Sequence, residues 1–97
     1  MAQKLPDDNV LRTINDDYNL SVIPGKRYLF ALTGQFGGAT VTLKRWDHGL
    51  HSYIPIKDGA FTAGMEDRLT LPNDKLRLTL SGATGDTLIS VTCTPIQ

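Results

Sequence analysis

The strongest constraint on this chain is a strict alternation of apolar and polar residues in short runs closed by glycine. Leu76, Leu78 and Leu80 alternate with Arg77, Thr79 and Ser81, and Gly82-Ala83-Thr84-Gly85-Asp86 follows. Ala39, Val41 and Leu43 alternate with Thr40, Thr42 and Lys44, directly after Gly34-Gln35-Phe36-Gly37-Gly38. A period of two puts successive side chains on opposite faces of a strand, so these runs read as half-buried β-strands. Glycine tolerates the positive φ angles that a tight reversal demands. The glycine-rich segments are therefore read as strand reversals. A phosphate loop would need a following helix and normally a lysine, and Ala39-Thr40-Val41-Thr42 is strand instead.

The same signal recurs along the chain. Leu20–Ile23 reads as a short strand ended by Pro24-Gly25. Lys26–Thr33 carries Tyr28, Phe30 and Leu32 on one face and Leu29 and Ala31 on the other, so both faces call for cover. Asp47-His48-Gly49 is a turn signal. Pro55 makes Tyr53–Ile56 an edge strand or a bulge, because proline cannot donate to a ladder. Lys57-Asp58-Gly59 reads as a hairpin turn. Phe61, Ala63 and Met65 alternate next, Leu69 and Leu71 form a short strand, and Ile89, Val91 and Cys93 mark the last. About eight strands with turns roughly every ten residues predict an all-β fold: a single antiparallel, jelly-roll-like β-sandwich. The expected core is Val41, Leu43, Ile54, Phe61, Leu69, Leu76, Leu78, Leu80, Ile89 and Val91. Residues 1–18 are polar and acidic and read as an N-terminal arm or short helix outside the core, ordered only against a partner; residues 19–97 form the sandwich.

Composition narrows the function classes. At 97 residues one domain is expected, with a core formed without staples. Ten basic residues balance ten acidic ones. A neutral chain argues against an electrostatic nucleic-acid partner and places little repulsion in the way of self-association. No apolar run approaches a membrane span, and no signal-peptide pattern opens the sequence. The single cysteine, Cys93, excludes an intrachain disulfide and reads as a buried, inert thiol made in a reducing cytosol.

Catalytic chemistry is not legible. The two histidines, His48 and His51, lie around one turn, and Ser52 follows His51. Strand neighbours point to opposite faces, so these two make no nucleophile and base. Asp47, His48 and His51 are too few for a closed zinc site, and the acidic pairs Asp7-Asp8, Asp16-Asp17 and Glu66-Asp67 have no calcium-loop spacing. No catalytic residue, metal ligand or cofactor is assigned. Trp46 and Tyr53 across one candidate hairpin form either a platform for a sugar ring or protein partner, or a cap on the open end of the sandwich.

The run from Phe30 to Leu43, containing G-Q-F-G-G-A-T-V-T-L, and the run from Leu71 to Gly85, containing L-T-L-S-G-A-T-G, resemble small β-sandwich accessory proteins of tailed bacteriophages and prophages. The resemblance covers roughly residues 28–94. It implies a non-enzymatic structural protein of the particle: a capsid decoration protein that binds the assembled shell, or a head–tail, tail or fibre component. The expected partners are further copies of itself, as a trimer, and the major capsid or another virion protein. The expected location is the virion, after synthesis in the host cytoplasm. The rival class is a carbohydrate- or receptor-binding module of a tail or fibre. Candidate interface residues are Tyr28, Leu29, Ala31, Trp46, His48 and Tyr53.

Overall fold

The computed structural model describes residues 3–6 and 8–96. Among them are nine strands and no helix: β1 Gln3–Lys4, β2 Val10–Leu11, β3 Asp17–Ser21, β4 Arg27–Gln35, β5 Thr40–Asp47, β6 Ser52–Phe61, β7 Met65–Thr70, β8 Lys75–Ser81 and β9 Leu88–Pro95. They form a five-stranded sheet, ordered β1-β3-β8-β5-β6, and a four-stranded sheet, ordered β2-β9-β4-β7. The inner faces meet through Val41, Leu43, Leu76, Leu78 and Leu80 from one sheet and Phe30, Leu32, Ile89 and Val91 from the other, all essentially inaccessible. These are the alternating residues of the sequence, so the period-two pattern fixes which face is buried.

The connectivity is that of a jelly roll. Strands β2 to β9 form four nested antiparallel pairs, β2 with β9, β3 with β8, β4 with β7 and β5 with β6. Successive pairs lie in alternate sheets, and the β9–β4 and β8–β5 ladders knit each sheet together. This is the order of a double Greek key. β1 adds to β3 as a parallel pair at the rim.

The two glycine motifs do not close hairpins within a sheet, as the sequence suggests. Each carries the chain from one sheet to the other, β4 to β5 and β8 to β9. Their loops lie at the same end of the sandwich and interlock. The Thr84 hydroxyl donates to the Gly37 carbonyl at 2.8 Å, and the buried Thr87 hydroxyl donates to the Phe36 carbonyl at 2.9 Å. A Cβ on Gly37 would lie 2.9 Å from the Asp86 backbone, so this approach requires glycine.

The described residues among 1–18 are not an arm outside the core. Leu11 is fully buried, Tyr18 is 4% exposed and Leu5 is 9% exposed, all within the main core cluster. Val10 and Leu11 pair with Ser90 and Ile89, so the expected helix is a strand. Apolar spacing across barely one turn cannot offset helix nucleation, whereas Leu11 fills space beside Ile89. β3 begins at Asp17, so the expected boundary after residue 18 cuts through a strand.

Lys57-Asp58-Gly59 is likewise no hairpin. It lies inside β6, where the register passes from Thr42↔Ala60 to Lys44↔Pro55. Lys57 and Gly59 take the positive φ values of 54° and 82° that let the strand bulge. The chain reverses instead at residues 62–64, crossing from β6 into the other sheet. Ile54 stays half-exposed and Phe61 packs only partly against the core, because β6 is an edge strand with cover on one side.

All four edges are blunted. β1 and β2 have two residues each. β6 carries Pro55 and the bulge. On β7, Asp67 holds the register position opposite the buried Phe30 yet is exposed at the rim, a charge that resists strand addition.

Candidate functional site

The outer face of the five-stranded sheet is built by register. Asn19, Arg77 and Lys44 stand side by side across β3, β8 and β5, and Lys44 is paired with Pro55 on β6. One step along, Trp46 pairs with Tyr53. Lys44, Trp46 and Arg77 alternate with inward residues, so Trp46 continues the strand pattern and stands on the sheet face. It does not cap the sandwich end.

The cluster is tightly organised. The Trp46 and Tyr53 rings meet edge-on, with centroids 5.2 Å apart and planes at 70°. Trp46 Nε1 donates to His48 Nδ1 at 3.2 Å, which requires His48 to accept through that nitrogen. His51 packs edge-on to the indole at 6.4 Å. Asn73 Nδ2 donates to the Trp46 carbonyl at 2.8 Å, tying the β7–β8 loop to β5. Lys75 Nζ lies 5.1 Å from the indole centroid, and the Arg77 guanidinium lies 3.7 Å from the Tyr53 centroid. Arg77 is held in place by a 2.9 Å hydrogen bond from its Nε to Asn19 Oδ1 and by Asp17, 3.9 Å away.

This geometry decides what the rings can do. A sugar platform needs a flat, open π-face. Here the two rings are tilted, and each already carries one of the protein's own cations on a face. The arrangement is a cationic aromatic patch, a composition that recurs at protein–protein contacts. Its sequence signal was partial. Alternation in β8 puts Lys75 and Arg77 on an outer face, but only the strand order brings them beside Trp46 and Tyr53.

The other expected interface residues lie on the four-stranded sheet. Tyr28 belongs to its inner face, is 6% exposed, and accepts the Ile23 amide through its hydroxyl at 2.8 Å. It is a core residue, which corrects the expectation that it lines an interface. Leu29 and Ala31 face outward. Leu29 is half-buried, flanked by Thr94 and Arg68, and Ala31 is 8% exposed, flanked by Thr92 and Glu66. The six residues therefore divide among the core and two opposite faces.

His51 and Ser52 make no hydrogen bond to each other, and among the described residues no three His, Cys, Asp or Glu side chains gather where one ion could be held. Cys93 is free and half-buried on the inward face, and burial pushes its thiol pKa up, disfavouring the reactive thiolate. Comparison with protein families, curated proteins and solved structures finds no match to this chain.

Proposed function

We propose that this chain is a non-enzymatic structural component of a bacteriophage particle, a capsid decoration protein that binds the assembled shell as a homotrimer. The observation that carries the reading is the contrast between the two outer faces. At the centre of the four-stranded sheet's outer face, Leu29, Ala31 and Thr33 of β4 and Ser90, Thr92 and Thr94 of β9 are uncharged and mostly small, with Arg27, Glu66 and Arg68 towards its β7 rim. The opposite face presents Lys44, Lys75, Arg77, Trp46 and Tyr53. An uncharged centre suits contact between identical copies, where like charges would oppose each other across a symmetry axis. A charged aromatic face suits a different partner, here the shell. The trimer is chosen to match three-fold sites on a capsid. Two further features support the reading. Jelly rolls are a recurrent capsid architecture, although fold alone assigns no function. The two motifs that carry the phage resemblance form one interlocked unit.

Electron microscopy of particles made with and without the protein tests this reading. Extra density on the shell, lost on deletion and weakened by Trp46→Ala, is the expected result. Identical particles, or density confined to a tail fibre, would overturn it; the latter would favour the receptor-binding reading.

A further inference from the structure

On the side of the sandwich where β6 and β7 form neighbouring edges, the two sheets leave an open groove. Four cationic residues from four strands line it: Arg27 of β4, Arg45 of β5, Lys57 of β6 and Arg68 of β7. Leu69 and Leu71, both buried, supply apolar wall. In a chain with zero net charge this is a concentrated positive site.

Arg45 is the unusual member. It is paired with Leu76 and Ile54 and so faces inward, where the neighbouring positions Val41 and Leu43 are core aliphatics. Its Nη1 reaches only the Trp46 carbonyl, at 3.3 Å. Among the described residues no carboxylate forms an ion pair with Arg27, Arg45 or Arg68. The nearby acid, Asp67, is already engaged: it accepts the Arg68 amide at 2.8 Å and lies 3.5 Å from Lys57 Nζ. The amide hydrogen bond and the Lys57 charge hold its carboxyl below the ordinary range, so it stays ionised and committed to these partners. A half-buried, inward guanidinium without an anion calls for one from outside.

We propose that this groove is a binding site for an acidic peptide segment of a partner protein, held through its carboxylates by Arg27, Arg45 and Arg68, with the Asp67-paired Lys57 at its rim. Two features select a peptide over a single small anion. The cations come from four strands of both sheets, Arg27 and Arg68 from β4 and β7 and Arg45 and Lys57 from β5 and β6, a spread suited to several separated carboxylates. The aliphatic wall also takes apolar side chains interspersed among the acids. A nucleic acid fits poorly, since the chain's net charge is zero and the groove's four cations make one short site on a different side of the sandwich from Lys44, Lys75 and Arg77, not a stripe that follows a backbone.

The test is fluorescence anisotropy with a labelled glutamate-rich peptide containing interspersed leucines. Binding at low salt that weakens as salt is raised is expected. Arg45→Gln with Arg68→Gln should weaken it about tenfold. Lys44→Gln with Lys75→Gln removes the same charge from the opposite face and should leave it little changed. A titration followed by amide chemical shifts needs no variant and should move Ile56, Lys57 and Arg68–Leu71 while sparing the Gly37–Asp86 end. No binding, equal weakening by both double variants, shifts centred elsewhere, or tighter binding of a single-stranded oligonucleotide would overturn the proposal.

Discussion

Gly34 occupies a position that only glycine fits. Its φ is +120°, and an added Cβ would overlap the Leu88 carbonyl oxygen across the β4–β9 ladder. Gly38 also has a positive φ, of 88°, but open space around it. Gly34→Ala should therefore cost roughly 2–5 kcal/mol through strain and overlap, and Gly38→Ala only about 1–2 kcal/mol through strain. Thermal melts of the two variants check the ordering, which fails if Gly38→Ala is the worse. Tyr18 gives a second prediction. Its hydroxyl donates to the Ile14 carbonyl at 2.6 Å, and burial, then the charge of Asp16, raise its pKa above the ordinary 10.0. The folded state holds the phenolic proton more tightly than the unfolded chain. Its contribution is thus complete below pH 10 and lost as the pH climbs through the raised value. Melting temperature should fall across that alkaline range and fall less steeply in Tyr18→Phe; equal slopes would refute the assignment.

Elements show where pattern was readable. β5, β8 and β9 are central strands with partners on both sides, and their alternation predicts burial residue by residue. Edge elements follow other rules. β6 bulges where Asp58-Gly59 reads as a turn, because the positive φ that serves a reversal serves a bulge equally well. β2 is two residues long, too short for any periodicity, yet it covers the core with Leu11. Leu11→Ala should accordingly cost roughly 2–5 kcal/mol, the range for a filled core position. Denaturant unfolding measures it, and a loss below 1 kcal/mol, about the size of a surface substitution, would return the segment to the status of an arm. Removing residues 1–12 should lower stability at least as much, where an arm would leave the fold untouched.

Across the whole molecule, the blunted edges bear on association. Short β1 and β2, the bulged β6 and the charged rim residue Asp67 of β7 leave no long free strand for edge pairing. Copies that associate must use faces or loop ends. Leu29, half-buried between Thr94 and Arg68 at the uncharged centre of the outer face, is the position where a carboxylate would most disturb a contact between copies. Sedimentation at micromolar concentration should find the unmodified protein heavier than a monomer and Leu29→Asp shifted to monomer, with its melting temperature little changed. A monomeric unmodified protein would remove self-association and leave only binding to an assembled particle.

Period-two alternation, a property of adjacent residues, determined that this chain folds as an all-β sandwich and which side chains of its central strands face inward. The resemblance to phage accessory proteins also rests on local motifs. Strand order is different in kind. It depends on which segments meet at long sequence separation, and nothing in the Gly34–Gly38 or Gly82–Asp86 loops distinguishes a hairpin from a crossing between sheets. Tertiary structure alone therefore set Arg77 against Tyr53, moved Tyr28 into the core beside Ile23, paired Leu11 with Ile89 of β9, and gathered four cations from four strands around one groove. Each juxtaposition joins residues that are remote or unremarkable in sequence, and packing two twisted sheets face to face is what brings them together.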